Sequence, residues 1–303
     1  MSGGAVRVVE PGPLALVEDL GRPGHAAVGV SRSGALDRGA LGLANRLVGN
    51  VESAACVEIL LGGFAARFEA PAWFAVTGAP SRLFLDGRPV DAHTAVHAAA
   101  GALLRIAQPA AGMRTYLAVR GGIEVEAVLG SRSRDTLSGL GPAPLWEGDL
   151  LPIGAEPATP VPAVDFVPLV GPGEALVEVR AHRGPRADWF TSAALHAFFT
   201  TEWRVSADGD RVGVRLDPPR VPAHAAGVEP APPVLLERAV TRELPSEPMV
   251  AGAVQVSPDG RPTVLLADHP VTGGYPVIAV IADRSLDTFA QLRPGNTVLF
   301  RHA

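Results

Sequence analysis

Short apolar runs, separated by glycine and proline, follow one another along most of the chain. Several are rich in β-branched or aromatic residues and have the length of a strand: Val6–Val9, Ala72–Val76, Leu103–Ile106 and Val264–Ala267. The tetrapeptide Asp-Gly-Arg-Pro occurs at 86–89 and again at 259–262, and Asp-Gly between apolar runs is typical of a hairpin turn. The pattern predicts a mainly β fold with many tight turns.

Helical spacing of apolar residues occurs in two stretches. Residues 34–48 place their apolar side chains along one face, and Gly49 follows as a stop signal. Residues 187–199 form the second predicted helix, with an aromatic apolar side. The segment 217–233 is rich in proline and alanine and predicts a long surface loop. Helices are therefore expected to be few.

Residues 121–137 and 273–289 form an internal repeat. At a constant offset of 152 residues, 9 of the 17 aligned positions are identical, including Gly-Gly, Val-x-Ala-Val and Arg-Ser-x-Asp-Thr. The offset implies two copies of about 150 residues, and each copy would have the size of a domain. This indicates a duplicated β domain rather than a solenoid. The predicted domains are 1–157 and 165–303, with the Pro-rich segment 155–162 as the linker.

Composition narrows the class of protein. Apolar residues make up 47% of the chain, so it can bury a sizeable core. The net charge of −5 and the absence of a basic block argue against nucleic acid as a partner. The apolar runs are too short to cross a membrane, and the N-terminus lacks the pattern of a secretory signal. The single cysteine, Cys56, lies in an apolar run and is interpreted as a buried core residue, so we expect a cytoplasmic protein.

The sequence contains no lysine, so all 26 of its basic residues are arginines. A Schiff-base lysine, a P-loop lysine and a biotinylated lysine are therefore excluded on this chain. Arginine is the only permanent cation available to bind carboxylate or phosphate groups, and its planar fork suits both.

Signature motifs for nucleotide cradles, serine hydrolases and zinc sites do not occur in the sequence. His93 and His97 are four residues apart, which on a helix would bring two imidazoles together. The residues around them favour strand and loop, so no metal site is predicted.

The glycine-rich stretch 19–37 is a candidate anion-binding segment. Its candidate ligands are Arg22, Arg32, Ser33 and Asp37, which precede the first predicted helix. Backbone N–H groups and guanidinium forks could converge at such a helix start. The alternative is a glycine-rich turn in which Ser33 is the N-cap.

The stretch 267–276, Ala-Asp-His-Pro-Val-Thr-Gly-Gly-Tyr-Pro, is the main candidate for chemistry. It is longer than the corresponding stretch of the first copy, and Asp268, Thr272 and Tyr275 have no counterpart there. Loops added to a rigid β scaffold are common sites, so these three residues are the predicted catalytic groups. Gly273 and Gly274 recur in both copies and are interpreted as scaffold that also lines the site. The alternative is a loop that only covers the second domain.

Six segments together resemble the KipA family, also called the biotin-dependent carboxyltransferase or allophanate hydrolase subunit 2-like family. In chain order they are DLGRPG (19–24), GVSRSGALDRGALGLANRLVGN (29–50), ADWFT (187–191), VSADGDRVGVRL (205–216), SEPMVAGAVQVSPDGRP (246–262) and LLADHPVTGGYP (265–276). The resemblance implies two tandem cyclophilin-like β-barrel domains. The sequence departs from the family pattern at Pro248, Ala251 and 269–271, so His269 is not included among the catalytic candidates.

The resemblance also implies an activity and partners. Stand-alone bacterial members act with a KipI-like subunit and a LamB/YcsF-like subunit to open 5-oxo-L-proline to L-glutamate, using ATP. Two alternatives remain open: the carboxyltransferase component of a biotin-dependent urea carboxylase system, and a non-catalytic regulator of a KipI-like kinase inhibitor. In the first alternative the biotin must be carried by another polypeptide.

The lactam reaction needs groups that bind a small amide substrate and phosphate. Arg211, with Arg22 and Arg32, is a candidate clamp, although Arg211 could instead be held in a salt bridge within its strand. Ser246, Glu247 and Gln255 are the polar candidates near the second glycine pair. ATP is expected in this chain, in a partner, or at their shared surface.

Overall fold

Strands make up most of the regular structure in the computed structural model, which describes residues 4–163, 167, 176–219 and 234–303. These residues contain twenty strands and three α-helices, so the prediction of a mainly β fold with few helices is confirmed. The chain divides into two units. The first comprises Met1–His25 and Arg32–Gly173, and the second comprises Ala26–Ser31 and Glu174–Ala303.

The first unit contains two sheets and one α-helix. Its strands are β1 (Ala5–Pro11), β2 (Leu14–Glu18), β3 (Cys56–Leu60), β4 (Phe64–Phe68), β5 (Ala72–Gly78), β6 (Leu83–Leu85), β7 (Arg88–Val90), β8 (Val96–Ala98), β9 (Leu103–Ile106), β10 (Arg114–Val119) and β11 (Leu150–Pro152). One sheet has the order β11-β1-β4-β9-β6-β7, and the other has the order β2-β3-β10-β5-β8. The Asp-Gly turn at 86–87 joins β6 to β7, as predicted.

Strand β10, in the middle of the five-stranded sheet, is buried on both of its faces. Leu117 and Val119 point into the core between the two sheets, whereas Tyr116 and Ala118 point toward helix α1 (Arg38–Leu47). All six residues of β10 are buried, as expected for a strand covered on both faces. Cys56 is fully buried in the helix-facing core, as predicted, and burial raises the pKa of its thiol well above the usual range.

Helix α1 begins four residues later than predicted, because Asp37 rather than Ser33 caps it. The Asp37 carboxylate accepts the N–H of Ala40 at 2.8 Å. Ser33 instead has a left-handed backbone, with φ of 54°, which places it outside the helix. The Asp37 N–H donates to the Tyr116 hydroxyl, which in turn donates to Glu58 at 2.7 Å. Burial, with the charges of Glu58 and Asp37, raises the pKa of Tyr116.

The second unit is a closed barrel with two helices. Its strands are β12 (Leu176–Arg183), β13 (Glu202–Gly209), β14 (Gly213–Asp217), β15 (Glu247–Pro248), β16 (Ala253–Val256), β17 (Pro262–Leu265), β18 (Thr272–Gly273), β19 (Val277–Ile281) and β20 (Thr297–His302). The barrel order is β12-β19-β16-β17-β14-β13-β20, and β15 pairs with β18 as a separate two-stranded sheet. Strands β12 and β20 are parallel, and they close the barrel. The hairpin predicted at 259–262 joins β16 to β17.

The second predicted helix is split in the structure. Residues 187–189 form a 3₁₀ turn, and α2 (Ser192–Thr200) begins after Thr191, whose hydroxyl accepts the N–H of Ala194 at 3.1 Å. The aromatic residues of α2 pack on the barrel, where Phe198 stacks on Phe300 at 4.4 Å. A third helix, α3 (Asp283–Phe289), follows β19. Of the loop predicted over 217–233, residues 220–233 lie outside the described residues.

The two copies of the sequence repeat have different local structures. Gly121 and Gly122 adopt left-handed conformations, with φ of 97° and 73°, whereas Gly273 lies in strand β18. Residues 283–289 form helix α3, but the matching residues 131–137 form neither helix nor strand apart from one bridge at Ser131. The identical residues therefore do not impose the same backbone on the two copies.

Arg120 binds the Pro-rich segment that the sequence predicts as the linker. Its bonds attach this segment to the first unit. Its guanidinium bonds the Glu156 carboxylate at 2.7 Å, the Pro157 carbonyl at 2.7 Å and also the Thr159 carbonyl. A further N–H donates to the Val48 carbonyl at 2.8 Å. Residues 156–159 thus have several tertiary bonds. No helix in the described part of the chain is long and apolar enough to cross a membrane.

The Asp37 cap predicts a specific loss of stability. Asp37→Ala removes the acceptor of the Ala40 N–H and should lower the free energy of unfolding by about 1–2 kcal/mol. Asp37→Asn keeps a capping oxygen and should lose less than half as much. Urea denaturation followed by circular dichroism measures both. Equal losses for the two variants would mean that capping is not the reason for the effect.

Candidate functional site

The stretch 267–276, which contains the predicted catalytic residues, forms a loop at the surface of the second unit, and we call this loop the lip. Strand β18 pairs antiparallel with β15, with Glu247 opposite Gly273, and the Met249 N–H donates to the Val271 carbonyl at 2.8 Å. Met249 and Val277, which flank the lip, are buried in a core cluster. The barrel therefore holds the lip in place while Thr272, Gly274 and Tyr275 are exposed. Ser246 is also exposed, next to β15.

A buried ion pair fixes the start of this stretch. The Arg211 Nε lies 2.9 Å from the Asp268 Oδ2, and the side chains are 3% and 0% exposed. The Asp268 N–H also donates to the Arg211 carbonyl at 3.0 Å. A solute cannot reach these two side chains without opening the loop. The pair therefore positions the lip, and the predicted contact of Asp268 or Arg211 with substrate stays a prediction.

Gln255 connects the lip to the barrel beneath it. Its side-chain amide donates to the Tyr275 carbonyl at 3.4 Å and contacts the Met249 sulfur at 3.3 Å. A Cβ on Gly273 would lie 2.4 Å from the Gln255 Nε2, so only glycine leaves room for this amide. Gly274 is different, because a Cβ there would meet only the Leu244 carbonyl, at 3.6 Å.

Arg238 lies beside the Tyr275 ring, with its guanidinium carbon 6.0 Å from the ring centre. One of its nitrogens donates to the Val256 carbonyl, but the buried Nε has no hydrogen-bond partner in the described structure. Burial of the guanidinium lowers the pKa of Arg238. A cation in this state is well placed to receive an anion, because an anion would compensate for the lost hydration.

Two further arginines lie beside the Trp189 ring. Arg186 lies 5.9 Å and Arg242 lies 5.3 Å from the Trp189 ring centre. Arg186 also holds Glu247 with two N–H groups, and this bonding lowers the pKa of the Glu247 carboxyl. Glu247 is therefore a carboxylate at neutral pH. Among the described residues, Arg242 has no ion-pair partner.

Backbone contacts join these groups into one surface. Phe190, next to Trp189, forms a β-bridge with Arg238, and the Arg186 N–H donates to the Val277 carbonyl at 3.2 Å. We call this surface the Trp189–Tyr275 cluster and define it as Arg186, Trp189, Arg238, Arg242, Glu247 and Tyr275. It combines the exposed phenol ring of Tyr275 with two arginines that have no carboxylate partner in the described residues, next to the buried Trp189 ring. This combination suits a small anionic ligand that also carries an apolar part.

Sequence reasoning does not identify Arg186, Arg238 and Arg242. They come from two segments separated in the chain, one at Arg186 and one at 238–242, and none lies in a recognised motif. The one local signal is the spacing of Arg186 and Trp189, three residues apart across a turn. His269, which is not among the catalytic candidates, is 6% exposed, and its Nδ1 lies 2.8 Å from the Pro270 carbonyl.

The four candidates of the glycine-rich stretch lie in the first unit. Arg22 is 1% exposed and donates to the Ser133 carbonyl and, at 3.3 Å, to the Val128 carbonyl. Arg32 donates to the Leu20 carbonyl at 3.2 Å, and Ser33 donates to the Arg134 carbonyl at 3.1 Å. With Asp37 as the cap of α1, these four residues have structural contacts. Their predicted role in anion binding stays untested.

The histidines considered for a metal site lie on a strand and a loop, as predicted. His97 belongs to β8 and packs edge-on against Trp73, and His93 has a left-handed backbone with φ of 60°. Within the described ranges, no cluster of three metal-ligating side chains occurs.

Comparison with known proteins gives a consistent group of relatives. Residues 28–302 match the family model "Carboxyltransferase domain, subdomain A and B". The C subunit of the 5-oxoprolinase of Escherichia coli K12 is 36% identical over 298 residues, which cover 97% of this chain and 90% of that protein. The crystal structure of TTHA0988 has a TM-score of 0.83 at 36% identity. It covers 99% of this chain, which spans only 56% of that longer chain.

A larger enzyme shares the same fold over part of its length. The crystal structure of the Kluyveromyces lactis urea amidolyase matches 99% of this chain with a TM-score of 0.86 and 27% identity. This chain spans 19% of that protein. The same architecture thus occurs in a stand-alone subunit and in a segment of a multi-domain chain.

The buried ion pair predicts a large loss of stability when one charge is removed. Asp268→Asn removes the carboxylate charge that pairs with the enclosed Arg211 guanidinium, so unfolding should become easier by about 3–5 kcal/mol. The matched control is Asp217→Asn, whose partner Arg261 lies at 3.0 Å on the surface. It should cost at most about 1 kcal/mol. Guanidinium chloride unfolding measures both, and a loss at Asp268 no larger than at Asp217 would contradict the assigned role.

The two neighbouring glycines of the lip should respond differently to the same change. Gly273→Ala must displace the Gln255 amide and break its bond to Tyr275, whereas Gly274→Ala meets only ordinary contact. We expect Gly273→Ala to change the environment of Tyr275 and Gly274→Ala to leave it unchanged. Comparing the tyrosine fluorescence or NMR signals of the variants checks this. Identical changes in both variants would rule out the Gln255 contact as the cause.

Proposed function

The chain belongs to the carboxyltransferase subdomain A and B family, and from this premise we propose that it is the C subunit of an ATP-dependent 5-oxoprolinase. In this proposal it takes part in the hydrolysis of 5-oxo-L-proline to L-glutamate. The observation that carries the proposal is the 36% identity to the Escherichia coli protein over 90% of that protein's length. Such coverage extends over most of both sequences rather than over one shared domain.

The reaction explains why anion-binding groups are needed. A five-membered lactam is an unstrained and stable amide, so its hydrolysis at neutral pH requires activation. Phosphorylation of the amide oxygen by ATP makes the carbon electrophilic. Water then adds to that carbon and the C–N bond breaks, with the nitrogen leaving as the amine of γ-glutamyl phosphate. A second water hydrolyses this acyl phosphate to glutamate and phosphate. This route requires neither a lysine nor a serine nucleophile on this chain, which agrees with the lysine-free sequence.

The Trp189–Tyr275 cluster is the proposed substrate-facing surface of this chain. Arg238 and Arg242 would bind the substrate carboxylate, or a phosphate formed from ATP, by charge-assisted hydrogen bonds. The hydroxyl groups of Thr272 and Tyr275 lie on the same exposed lip and would orient the amide. In this arrangement Asp268 acts with Arg211 as a positioning residue, and Gln255 holds the Tyr275 backbone.

The proposed partners are the KipI-like subunit and the LamB/YcsF-like subunit, in the cytoplasm. The relative's name describes it as one subunit of a larger enzyme, which supports a hetero-oligomer. Val250, which follows β15, and Tyr275, on the lip, have exposed side chains, which supports an active surface completed by another polypeptide.

The likeness to urea amidolyase supports a second candidate function. In this alternative the chain is the carboxyltransferase component of a biotin-dependent system that acts on urea or a related amide. The chain has no lysine for biotin attachment, so a separate biotin carrier would have to be supplied.

Reconstitution of the complex tests the proposal. The purified chain, mixed with its KipI-like and LamB/YcsF-like partners, should release L-glutamate from 5-oxo-L-proline only when ATP is present. Arg242→Gln should raise the KM for 5-oxo-L-proline by about tenfold or more, because a charge-assisted bond is lost. The matched control is Arg261→Gln, whose arginine is paired with Asp217 and Asp259 away from the cluster.

Three outcomes would argue against this function. Glutamate release by the two partners alone would leave this chain a regulatory role. No ATP-dependent release by an intact complex would reject the activity. Carboxylation of urea with a biotinylated carrier, in the absence of lactam hydrolysis, would favour the second candidate.

A further inference from the structure

A cavity of about 450 Å³ lies in the second unit, between helix α2 and the ends of strands β12 and β20. It shares no residue with the Trp189–Tyr275 cluster. Its volume falls in the usual range for small-molecule sites, which is about 300–1,000 Å³. The cavity is therefore a candidate for a second ligand site.

The topology of the barrel brings the charged residues of the cavity together. Strands β12 and β20 run parallel, so their carboxyl ends lie at the same edge, with Ala181 opposite His302. Arg183 ends β12, and Arg301 and His302 lie at the end of β20. One face of α2 completes the wall: Ser192, His196 and Thr200 are spaced four residues apart and lie on the same side of the helix.

The charge of the cavity wall has one sign. Arg183, Arg301 and two imidazoles line the cavity, and no carboxylate occurs among the described residues of its lining. In the described part of the chain Arg183 has no ion-pair partner. Arg301 forms an ion pair with Glu178 at 2.8 Å, and both of these side chains are about half exposed. Alternation along the strand places this pair on the face of β20 opposite His302, so Arg183 is the guanidinium on the His302 side.

The floor of the cavity is rigid and aromatic. The ring centres of Phe199 and His302 are 3.8 Å apart in a stacked arrangement. Behind them, Phe198 stacks on Phe300 and accepts the indole N–H of Trp203 with its carbonyl, at 3.1 Å. The wall thus offers a planar surface next to the Arg183 guanidinium. The Ser192 hydroxyl faces the same space, whereas the Thr200 hydroxyl donates to the His196 carbonyl at 2.9 Å.

We propose that this cavity is a binding site for a small phosphate-bearing anion. Phosphate presents oxygens in several directions, which matches the Arg183 guanidinium fork, imidazole N–H groups and the Ser192 hydroxyl placed around one space. The cavity is larger than a single phosphate, and the aromatic wall can accept a planar group attached to it. The inference rests on this geometry alone and stands independently of the proposed lactam chemistry.

Calorimetric titration of the full chain with inorganic pyrophosphate and with ATP tests the site. Both probes should bind, and raising the salt concentration should weaken them. ATP binding that is about tenfold or more tighter than pyrophosphate binding would identify a nucleoside phosphate as the ligand source. Equal affinities would identify a free phosphate. No binding of either probe, or tighter binding of L-glutamate as a carboxylate probe, would overturn the proposal.

Two variants locate the binding. Arg183→Gln should weaken both probes by about tenfold or more, because a charge-assisted hydrogen bond is lost. Ser192→Asp adds a carboxylate to the cavity wall but lies in the first turn of α2, where a negative charge favours the helix. It should therefore keep the fold and still weaken binding. Arg215→Gln is the control, since its arginine lies on β14 outside the cavity lining. Unchanged affinity in both cavity variants would show that the probes bind elsewhere.

Discussion

An arginine that is removed from water must find protein acceptors for its N–H groups, and this constraint organises the loops of both units. Arg120 bonds the backbone of Val48 and residues 156–159, and Arg22 bonds two carbonyls of the 128–133 loop. Arg211 pairs with the fully enclosed Asp268. In each case a segment without regular structure is tied to a guanidinium, because the loops contribute few apolar side chains of their own. In this lysine-free chain, buried arginines thus hold loops to the rest of their unit.

The same residue type acts differently where it stays near solvent. Arg238, Arg242 and Arg183 lie beside aromatic rings or in a cavity wall, and no carboxylate among the described residues neutralises them. These three arginines can therefore pair with an anion from solution. The division between enclosed and exposed arginines separates the groups that hold the lip in place from those that can bind a ligand.

The sequence was sufficient to predict elements that depend on local pattern. The β character, the Asp-Gly hairpins and the burial of Cys56 follow from spacing and turn chemistry, and the structure agrees. It failed where tertiary contacts decide. The choice of Asp37 over Ser33 as the helix cap depends on a backbone conformation that residue type does not specify. The repeated Gly-Gly pair indicates one shared scaffold, yet only the first pair is left-handed. The cationic surface around Trp189 required two distant segments, 186–189 and 238–242, to be placed together, which no motif records.

The parallel pairing of β12 with β20 has a consequence for how the second unit is made. Leu176 lies opposite Thr297, so the contact that closes the barrel joins residues 121 positions apart (297 − 176 = 121). Strand β20 is also the partner of β13, and it is the last strand of the unit to leave the ribosome. During synthesis the nascent unit therefore has two unpaired sheet edges, exposed to wrong pairing with neighbouring chains, until its final residues emerge. The edges of β12 and β13 are therefore protected only once β20 has paired with both strands.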